Sequence, residues 1–514
     1  MSIYKLYPER VDLMKKRILI AALAAVMLLS GCSFENIVSD DLLLTVQNRE
    51  PVQNTGYEYT DVTALSIPIG EDEMNPYDMS IDTNLQLVPL VYDGLVRLRP
   101  DYGYDLALAA EVNNRGTVCD VTLKNGIVFS DGSPVTAYDV QYSYRQAVYW
   151  GKTEYSDCFD NVGGVSVLDD ETVRFYLYRS DEMFPNNLTF PVLKTGTAQS
   201  PVGCGRFYLA KDRVLKPNRL WYGGDIGKID KITLVDQPDR ETSFYSMKIG
   251  SLDYLFVDAD EEITDGGGSV HYVEMPNLIY LGINDTRGRL SDSRFRRLLE
   301  AAIDREKILG EVYFDRATPT DLPFPAGWEK LSGREGNMGG DYSLVQVLLS
   351  DLGLDKRDEE GYIIVGSRRV SLDILVNGDN PTKVKLAEAL AKTLCDIGFD
   401  VSVRAETFAD YQALLSAGDF DLYLGEVRLR DDLDLDVLLR ELNFPTTEEN
   451  LLVADYFDEW QGKRIELDSF ILQFESAMPL IPLGTRNGIV YYNRDIYYEL
   501  RAAFSDIFYN IQNW

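Results

Sequence analysis

Residues 370–403 change their hydrophobic period twice, and this pattern constrains the fold more than any other feature of the chain. Apolar side chains recur at every second position, then along one stripe of a helix, and then at every second position again. Gly398 follows the helical stretch, where a helix C-cap favours a residue with positive φ. A strand, a helix and a strand at this spacing form a βαβ unit with parallel strands and a right-handed crossover. The pattern therefore predicts an α/β fold.

A second helix and strand extend this unit and indicate where a ligand binds. A helix that ends at Gly418 is followed by a predicted strand over residues 420–424. Because ligands of such sheets bind beyond the carboxyl ends of the strands, residues 425–436 form a candidate site. Upstream, residues 291–309 are predicted to form one helix with Ser291 as its N-cap.

Length and charge exclude several classes of protein. A chain of 514 residues exceeds what one hydrophobic core usually supports, so we expect two or more lobes. The net charge of −33 makes nucleic acid and anionic lipid headgroups poor partners. The sole histidine, His271, excludes two-histidine metal sites, and no serine lies in a G-x-S-x-G motif. We therefore expect a protein that is not an enzyme and has no cofactor or metal, with a two-carboxylate glycosidase as the enzymatic alternative.

The first 31 residues have the pattern of an export signal. A basic segment precedes an apolar run of about a dozen residues, too short for a comfortable membrane span. The run ends in L-S-G-C, which resembles the lipobox of bacterial lipoproteins. This resemblance implies cleavage before Cys32, lipidation of its thiol, and a tether over residues 32–56. An uncleaved single-span anchor is the alternative.

Seven further segments carry motifs that follow one another in a recognisable order. They are Tyr92-Asp93-Gly94-Leu95-Val96, Leu108-Ala109, the stretch L-K-N-G-I-V-F-S-D-G-S-P-V-T-A-Y-D-V at 123–140, Pro201-Val202-Gly203-Cys204-Gly205-Arg206-Phe207, residues 292–305, Ile397-Gly398-Phe399-Asp400-Val401, and Gly418-Asp419-Phe420-Asp421. Together they resemble the family 5 extracellular solute-binding proteins, the dipeptide and oligopeptide binders of ABC importers. The stretch at 123–140 is the most specific of these matches.

The resemblance implies an α/β, bilobal fold of the periplasmic-binding-protein type (type II, cluster C) with an extra subdomain. The implied division gives lobe I residues 57–76, 190–283 and 479–514, the extra subdomain residues 77–189, and lobe II residues 284–478. It also implies capture of a peptide or peptide-like solute between the lobes and delivery to the permease of an ABC importer. The protein would be a monomer, lipid-anchored on the extracytoplasmic face of a bacterial cell membrane. An oligosaccharide or other solute, a surface sensor or adhesin, and a secreted hydrolase are the alternatives.

The resemblance further indicates residues that contact the ligand. The family binds the ligand ammonium with an Asp in a segment like G-W-x-x-D, but here Glu426 replaces the Trp and Leu429 stands in place of the Asp. Asp431 or Asp432 takes the role if the loop is shifted, and Glu426 can instead face a cationic ligand. A solvated acidic loop is the structural alternative. The remaining candidate ligand-binding residues are Arg428, Arg430, Tyr92, Glu71 and Asp72.

Overall fold

The computed structural model describes residues 62–70, 74–79, 82–151, 153–258, 266–440, 446–493, 496 and 500–514. These residues belong to one compact unit. The predicted signal segment, the lipidation site Cys32 and the tether lie outside the described residues, so they stay predictions.

Strands predominate in the first half of the described chain, where several follow one another directly. The strands are β1 (Ala64–Ile69), β2 (Val96–Leu98), β3 (Tyr104–Leu106), β4 (Ala109–Asn114), β5 (Val118–Leu123), β6 (Val162–Val167), β7 (Thr172–Leu177), β8 (Phe207–Ala210), β9 (Val214–Pro217), β10 (Lys231–Asp236), β11 (Tyr254–Asp258), β12 (Ser269–Ile283), β13 (Ala317–Pro319), β14 (Ile364–Val365), β15 (Arg368–Arg369), β16 (Ser371–Asn377), β17 (Asp400–Glu406), β18 (Leu422–Arg428) and β19 (Leu480–Tyr492).

The α-helices concentrate in the second half. They are α1 (Asp82–Leu85), α2 (Val88–Val91), α3 (Ala137–Trp150), α4 (Glu154–Asp157), α5 (Arg240–Lys248), α6 (Ser293–Ala302), α7 (Arg305–Tyr313), α8 (Tyr342–Asp351), α9 (Pro381–Asp396), α10 (Phe408–Ala417), α11 (Asp436–Leu439), α12 (Glu448–Gln461) and α13 (Leu467–Ala477).

The described strands form five sheets, of which three have four or more strands and two are the pairs β2-β3 and β14-β15. The largest has seven strands in the order β11-β19-β12-β18-β16-β17, with β13 paired to β19. Within it β16 is parallel to β17 and β18, whereas β12 and β19 are antiparallel to their neighbours. The sheet β1-β10-β9-β8 contains the parallel pair β1 and β10, and the sheet β4-β5-β7-β6 is antiparallel throughout.

Four hydrophobic clusters pack the described residues, and the two largest lie in different parts of the chain. The first core consists of side chains between Leu65 and Val273 and between Val490 and Trp514. The second core consists of side chains between Ile279 and Leu483. The chain therefore leaves the first core, builds the second and returns, and the sheet β4-β5-β7-β6 belongs with the first. A third cluster joins these parts, because it contains Tyr102 and Met183 together with side chains between Leu278 and Leu480.

The two long strands β12 and β19 run through both cores side by side. Their register shifts between Glu274 and Leu278, where β12 passes from one core to the other. An irregularity of this kind bends a strand and increases its twist. The paired strands thus form the double connection between the cores. The exact lobe boundaries given above stay a prediction.

The predicted βαβ unit is confirmed as β16, α9 and β17, with the two strands parallel. Gly398 has a φ of +107°, and Gly418 caps α10 in the left-handed region with a φ of +64°. The prediction of a single helix over residues 291–309 is wrong. The segment forms the two helices α6 and α7, because Ile303 is extended and the Asp304 side chain accepts from the amide of Lys307, which caps the second helix.

The N-cap of the first of these helices is also not the predicted residue. Asp292 caps α6 by accepting from the amide of Arg294, whereas the Ser291 hydroxyl donates to the carbonyl of Gly288 in the preceding turn. Both residue types are good N-caps. The turn before the helix decides which of them is used.

Candidate functional site

A cavity of about 750 Å³ opens where several strands end. Gly70 follows β1, Gln237 follows the parallel strand β10, Asp258 ends β11, and Arg428 ends β18; all four line the cavity. Carboxyl ends of strands are where α/β sheets bind ligands, and the volume lies within the range of about 300–1,000 Å³ typical of small-molecule sites. This cavity is the candidate site.

Its lining mixes charged, amide and apolar groups. The polar members are Thr83, Gln86, Gln237, Asp239, Arg240, Ser243, Asp258, Asn277 and Arg428, and the larger apolar members are Leu85, Leu255, Phe256, Val257, Met275 and Phe504. Such a lining offers donors, acceptors and hydrophobic contact to one ligand.

The sheet face beneath the cavity carries a buried ion-pair network around Glu426. Glu426 Oε1 accepts from Arg486 Nε at 2.8 Å and from Asn277 Nδ2 at 3.1 Å, and Lys383 Nζ lies 3.1 Å from Oε2. The side chains of Glu426 and Arg486 are 7% and 5% exposed, and burial lowers the pKa of Arg486 to about 10. Arg486 also pairs with Asp258 at the cavity wall. The charge of Glu426 is therefore balanced by the protein's own cations.

Asn277 and Arg428 are direct partners in the β12–β18 ladder, so their side chains share the face that lines the cavity. Asn277 is 8% exposed, and its Oδ1 has no hydrogen-bond partner among the described residues. Arg428 is exposed, and its guanidinium carbon lies 4.3 Å from the centroid of the Phe504 ring. Such a cation–π pair is worth about 0.5–2 kcal/mol.

The acidic loop after β18 turns away from this cavity and contacts the first half of the chain. Asp432, only 2% exposed, accepts from Asn187 Nδ2 at 2.6 Å. Asp431 accepts from Thr189 Oγ1 at 3.0 Å and lines a second cavity of about 250 Å³. Arg430 pairs with Asp434 at 2.6 Å and with Asp160 at 2.7 Å.

The remaining predicted site residues are distributed differently. Tyr92 is 4% exposed and does not line the 750 Å³ cavity; its hydroxyl donates to the carbonyl of Met74 at 2.7 Å, and burial raises its pKa. Leu429, at the position of the family's Asp, is buried at 2% exposure. Glu71 and Asp72 lie outside the described residues. The structure thus places Arg428 at the large cavity with Glu426 beneath it, and Asp431 at the small one, while Arg430 and Asp432 lie in the contact between the two halves.

Sequence reasoning missed several residues of the cavity. Asn277, Phe504 and Asp258 come from strands and a C-terminal segment whose pairing spans hundreds of residues, and no local motif marks them. Asp239 and Arg240 carry a weak signal, since Asp239 caps α5 directly after β10 by accepting from Thr242 N at 2.7 Å. A strand followed by a capped helix is the general pattern of such a ligand edge.

The chain matches the model of the family described as "Bacterial extracellular solute-binding proteins, family 5 Middle" over residues 101–447. The dipeptide-binding protein DppE of Bacillus subtilis is 23% identical over 377 residues, which is 65% of this chain and 68% of the relative. The oligopeptide-binding protein AppA of the same organism is 22% identical over 373 residues, 65% of this chain and 67% of the relative.

A solved structure shows the same fold. The unliganded open form of the periplasmic murein tripeptide binding protein MppA superimposes with a TM-score of 0.71 at 16% sequence identity, covering 85% of this chain and 94% of that chain. This likeness and the sheets described above give the type II, two-lobed periplasmic-binding-protein fold.

Within the described part of the chain, no helix has both the length and the apolar character needed to span a membrane. No cluster of three or more histidine, cysteine or acidic residues there could hold a metal ion. The match to the family model covers well over half of the chain and extends across both cores. The protein is therefore a solute-binding protein and not an enzyme, and it belongs to the bacterial extracellular solute-binding proteins of family 5.

Proposed function

We propose that this protein captures a peptide or peptide-like solute in the 750 Å³ cavity and delivers it unchanged to the permease of an ABC importer. The observation that carries the proposal is the position of that cavity. It lies at the strand ends of the first core and is closed on its other side by Asn277 and Arg428 of the paired strands β12 and β18. A solute there touches both parts of the fold, as a closing cleft requires.

The chemistry of the lining supports a peptide-like ligand. A peptide presents a carboxylate together with backbone N–H and C=O groups, and each needs a partner once its water is removed. Arg428 and Arg240 are cations for the carboxylate, and the amides of Gln86 and Gln237 serve the backbone groups. The unsatisfied Asn277 Oδ1 is a further acceptor for a ligand N–H; leaving such a group unpaired costs about 1–3 kcal/mol.

The relatives named above support the same class of ligand, since their names describe dipeptide, oligopeptide and murein tripeptide binding. The L-S-G-C segment supports a lipid anchor at Cys32 on the extracytoplasmic face of the membrane. We propose a monomer as the form that meets the permease.

Calorimetry of the purified protein with di- to pentapeptides tests the proposal. We expect micromolar or tighter binding to at least one length class, and we expect Arg428→Gln to weaken it by about 2 kcal/mol or more, roughly 30-fold in Kd, because a desolvated carboxylate loses its partner. Arg297→Gln is the matched control, since Arg297 is exposed on α6 and does not line the cavity; its affinity should equal that of wild type. Binding of oligosaccharides with no peptide binding would contradict the assignment.

A further inference from the structure

The two cavities of the cleft region meet at a single side chain. Among the described residues, Phe504 is the only one that lines both the 750 Å³ cavity and the 250 Å³ cavity that contains Asp431. Phe504 belongs to the C-terminal segment and packs against the first core. Its ring therefore forms the wall between the two spaces.

Arg428 holds this wall from the opposite side. Its guanidinium carbon lies 4.3 Å from the centroid of the Phe504 ring, and Arg428 itself lines only the large cavity. Phe504 comes from the segment packed on the first core, whereas Arg428 ends the strand β18 that leads into the second core. The contact between Arg428 and the Phe504 ring therefore depends on how the part of the fold around the first core is positioned relative to the part that contains β18.

The small cavity is lined by charged residues of both signs. The side chains of Asp431 and Arg99 line it, and Arg99 is already paired with Asp101 at 2.9 Å and with Glu329. Glu274 also lines it, but its carboxylate accepts from the amides of Ala326 and Gly327 at 3.0 and 2.9 Å. Asp431, which accepts from Thr189, is the group best placed to balance a cation that enters this space.

We propose that Phe504, held by Arg428, is a partition that sets the length of the captured solute. A short solute fills the large cavity with the partition in place. A longer peptide displaces the ring, extends into the small cavity and places its free amino terminus beside Asp431. This inference rests on the proposed function, and it names the ligand class as extended peptides whose affinity depends on length.

The test compares alanine peptides of two to six residues, each with a free and an acetylated amino terminus, on wild type and variants by calorimetry. Phe504→Ala removes the partition, so we expect the affinity for the penta- and hexapeptide to rise about tenfold while that for the dipeptide changes less than about threefold. Acetylation should abolish the gain for the long peptides. Asp431→Asn should weaken only the long peptides with a free amino terminus.

Two further variants keep the test decisive. Tyr362→Ala is the matched control, because Arg369 lies 4.2 Å from the Tyr362 ring centroid in a similar stack and Tyr362 lines neither cavity; its length profile should match that of wild type. Phe504→Leu keeps an apolar side chain and decides the question if the alanine variant does not fold. An unchanged length profile in the folded Phe504 variants overturns the partition, whereas a wild type that binds no peptide of any length overturns the proposed function and the partition with it.

Discussion

Arg206 is a fully buried arginine whose charge is balanced by a residue 300 positions further along the chain. Its Nη2 lies 2.9 Å from Asp506 Oδ2, and its Nη1 donates to the carbonyls of Phe508 and Tyr509 at 2.9 and 3.2 Å. Arg206 and Asp506 are 0% and 2% exposed, and burial lowers the pKa of the guanidinium. Arg206 therefore ties the C-terminal segment, which carries Phe504, to the first core.

Removal of the Asp506 charge should lower the stability of the folded protein. Asp506→Asn keeps the shape of the side chain but removes the hydrogen-bonded counter-ion of the buried Arg206, together with a partner of Arg97 at 3.6 Å, so we expect a loss of about 3–5 kcal/mol in the free energy of unfolding. Urea unfolding followed by tryptophan fluorescence measures it. Glu459→Gln is the control, because the ion pair of Glu459 with Arg464 is largely exposed, and such pairs are worth at most about 1 kcal/mol. Equal losses in the two variants would contradict the role given to burial.

At the scale of elements, the most family-like stretch of the sequence, residues 123–140, leads from the end of β5 into the start of α3. Thr136 is the N-cap of α3, and Asp139 Oδ2 accepts from the amide and the hydroxyl of Thr136 at 2.9 and 2.8 Å, completing a capping box. The other carboxylate oxygen, Oδ1, accepts from the amide and the hydroxyl of Thr195 at 2.9 and 2.8 Å. The T-A-x-D motif therefore positions a helix and a distant loop together.

This double role gives a prediction for Asp139. Asp139→Ala loses the cap and the bonds to Thr195 at a site that is 7% exposed, so we expect a loss of about 2–4 kcal/mol in the free energy of unfolding. Asp341→Ala at the start of α8 is the control: Asp341 is exposed and caps only its own helix, for which about 1 kcal/mol is expected. Differential scanning fluorimetry and urea titration of both variants check the ranking, and a loss at Asp139 no larger than at Asp341 would contradict it.

Periodic elements could be predicted from the sequence, and residues joined by distant pairing could not. The βαβ unit and the caps at Gly398 and Gly418 follow from local patterns, because hydrophobic period and φ preference are properties of neighbouring residues. Arg206 stands in a recognisable motif, yet nothing near it in the sequence indicates Asp506. In the same way a strand after Gly418 could be predicted, but it runs from Leu422 to Arg428 instead of over 420–424, so residues 425–428 belong to the strand and only 429–436 follow its end. The contact of Asp432 with Asn187 required the three-dimensional structure.

At the scale of the whole molecule, a second connection supplements the paired strands β12 and β19. The segment 179–189 and the loop 430–436 are joined by side-chain bonds from Arg179 to Asp434 and Asp436, from Asn187 to Asp432, and from Thr189 to Asp431. Asp181 is buried in this contact at 5% exposure. Burial, and then the charges of Asp432 and Asp434, raise the pKa of Asp181 well above its ordinary value. The contact between the two halves therefore contains a carboxyl group, that of Asp181, whose ionisation is unfavourable in the folded protein.

The raised pKa of Asp181 fixes the sign of a pH effect. The folded state holds the proton more tightly than the unfolded chain, so the stability that Asp181 contributes is fully present below the unfolded pKa of about 4 and is lost as the pH rises toward the folded pKa. Asp181→Asn keeps an oxygen for the amide of Met183, which donates to Asp181 Oδ1 at 2.8 Å, and removes the charge.

We expect the free energy of unfolding of this variant to match that of wild type near about pH 4 and to exceed it by about 1 kcal/mol or more at about pH 8. Urea midpoints across this range measure the difference, with Asp355→Asn at an exposed position as the control that should show no trend. A variant less stable than wild type at the higher pH would contradict this sign. It would mean that ionised Asp181 stabilises the contact between the two halves by its attraction to Arg179, the cation that lowers its pKa.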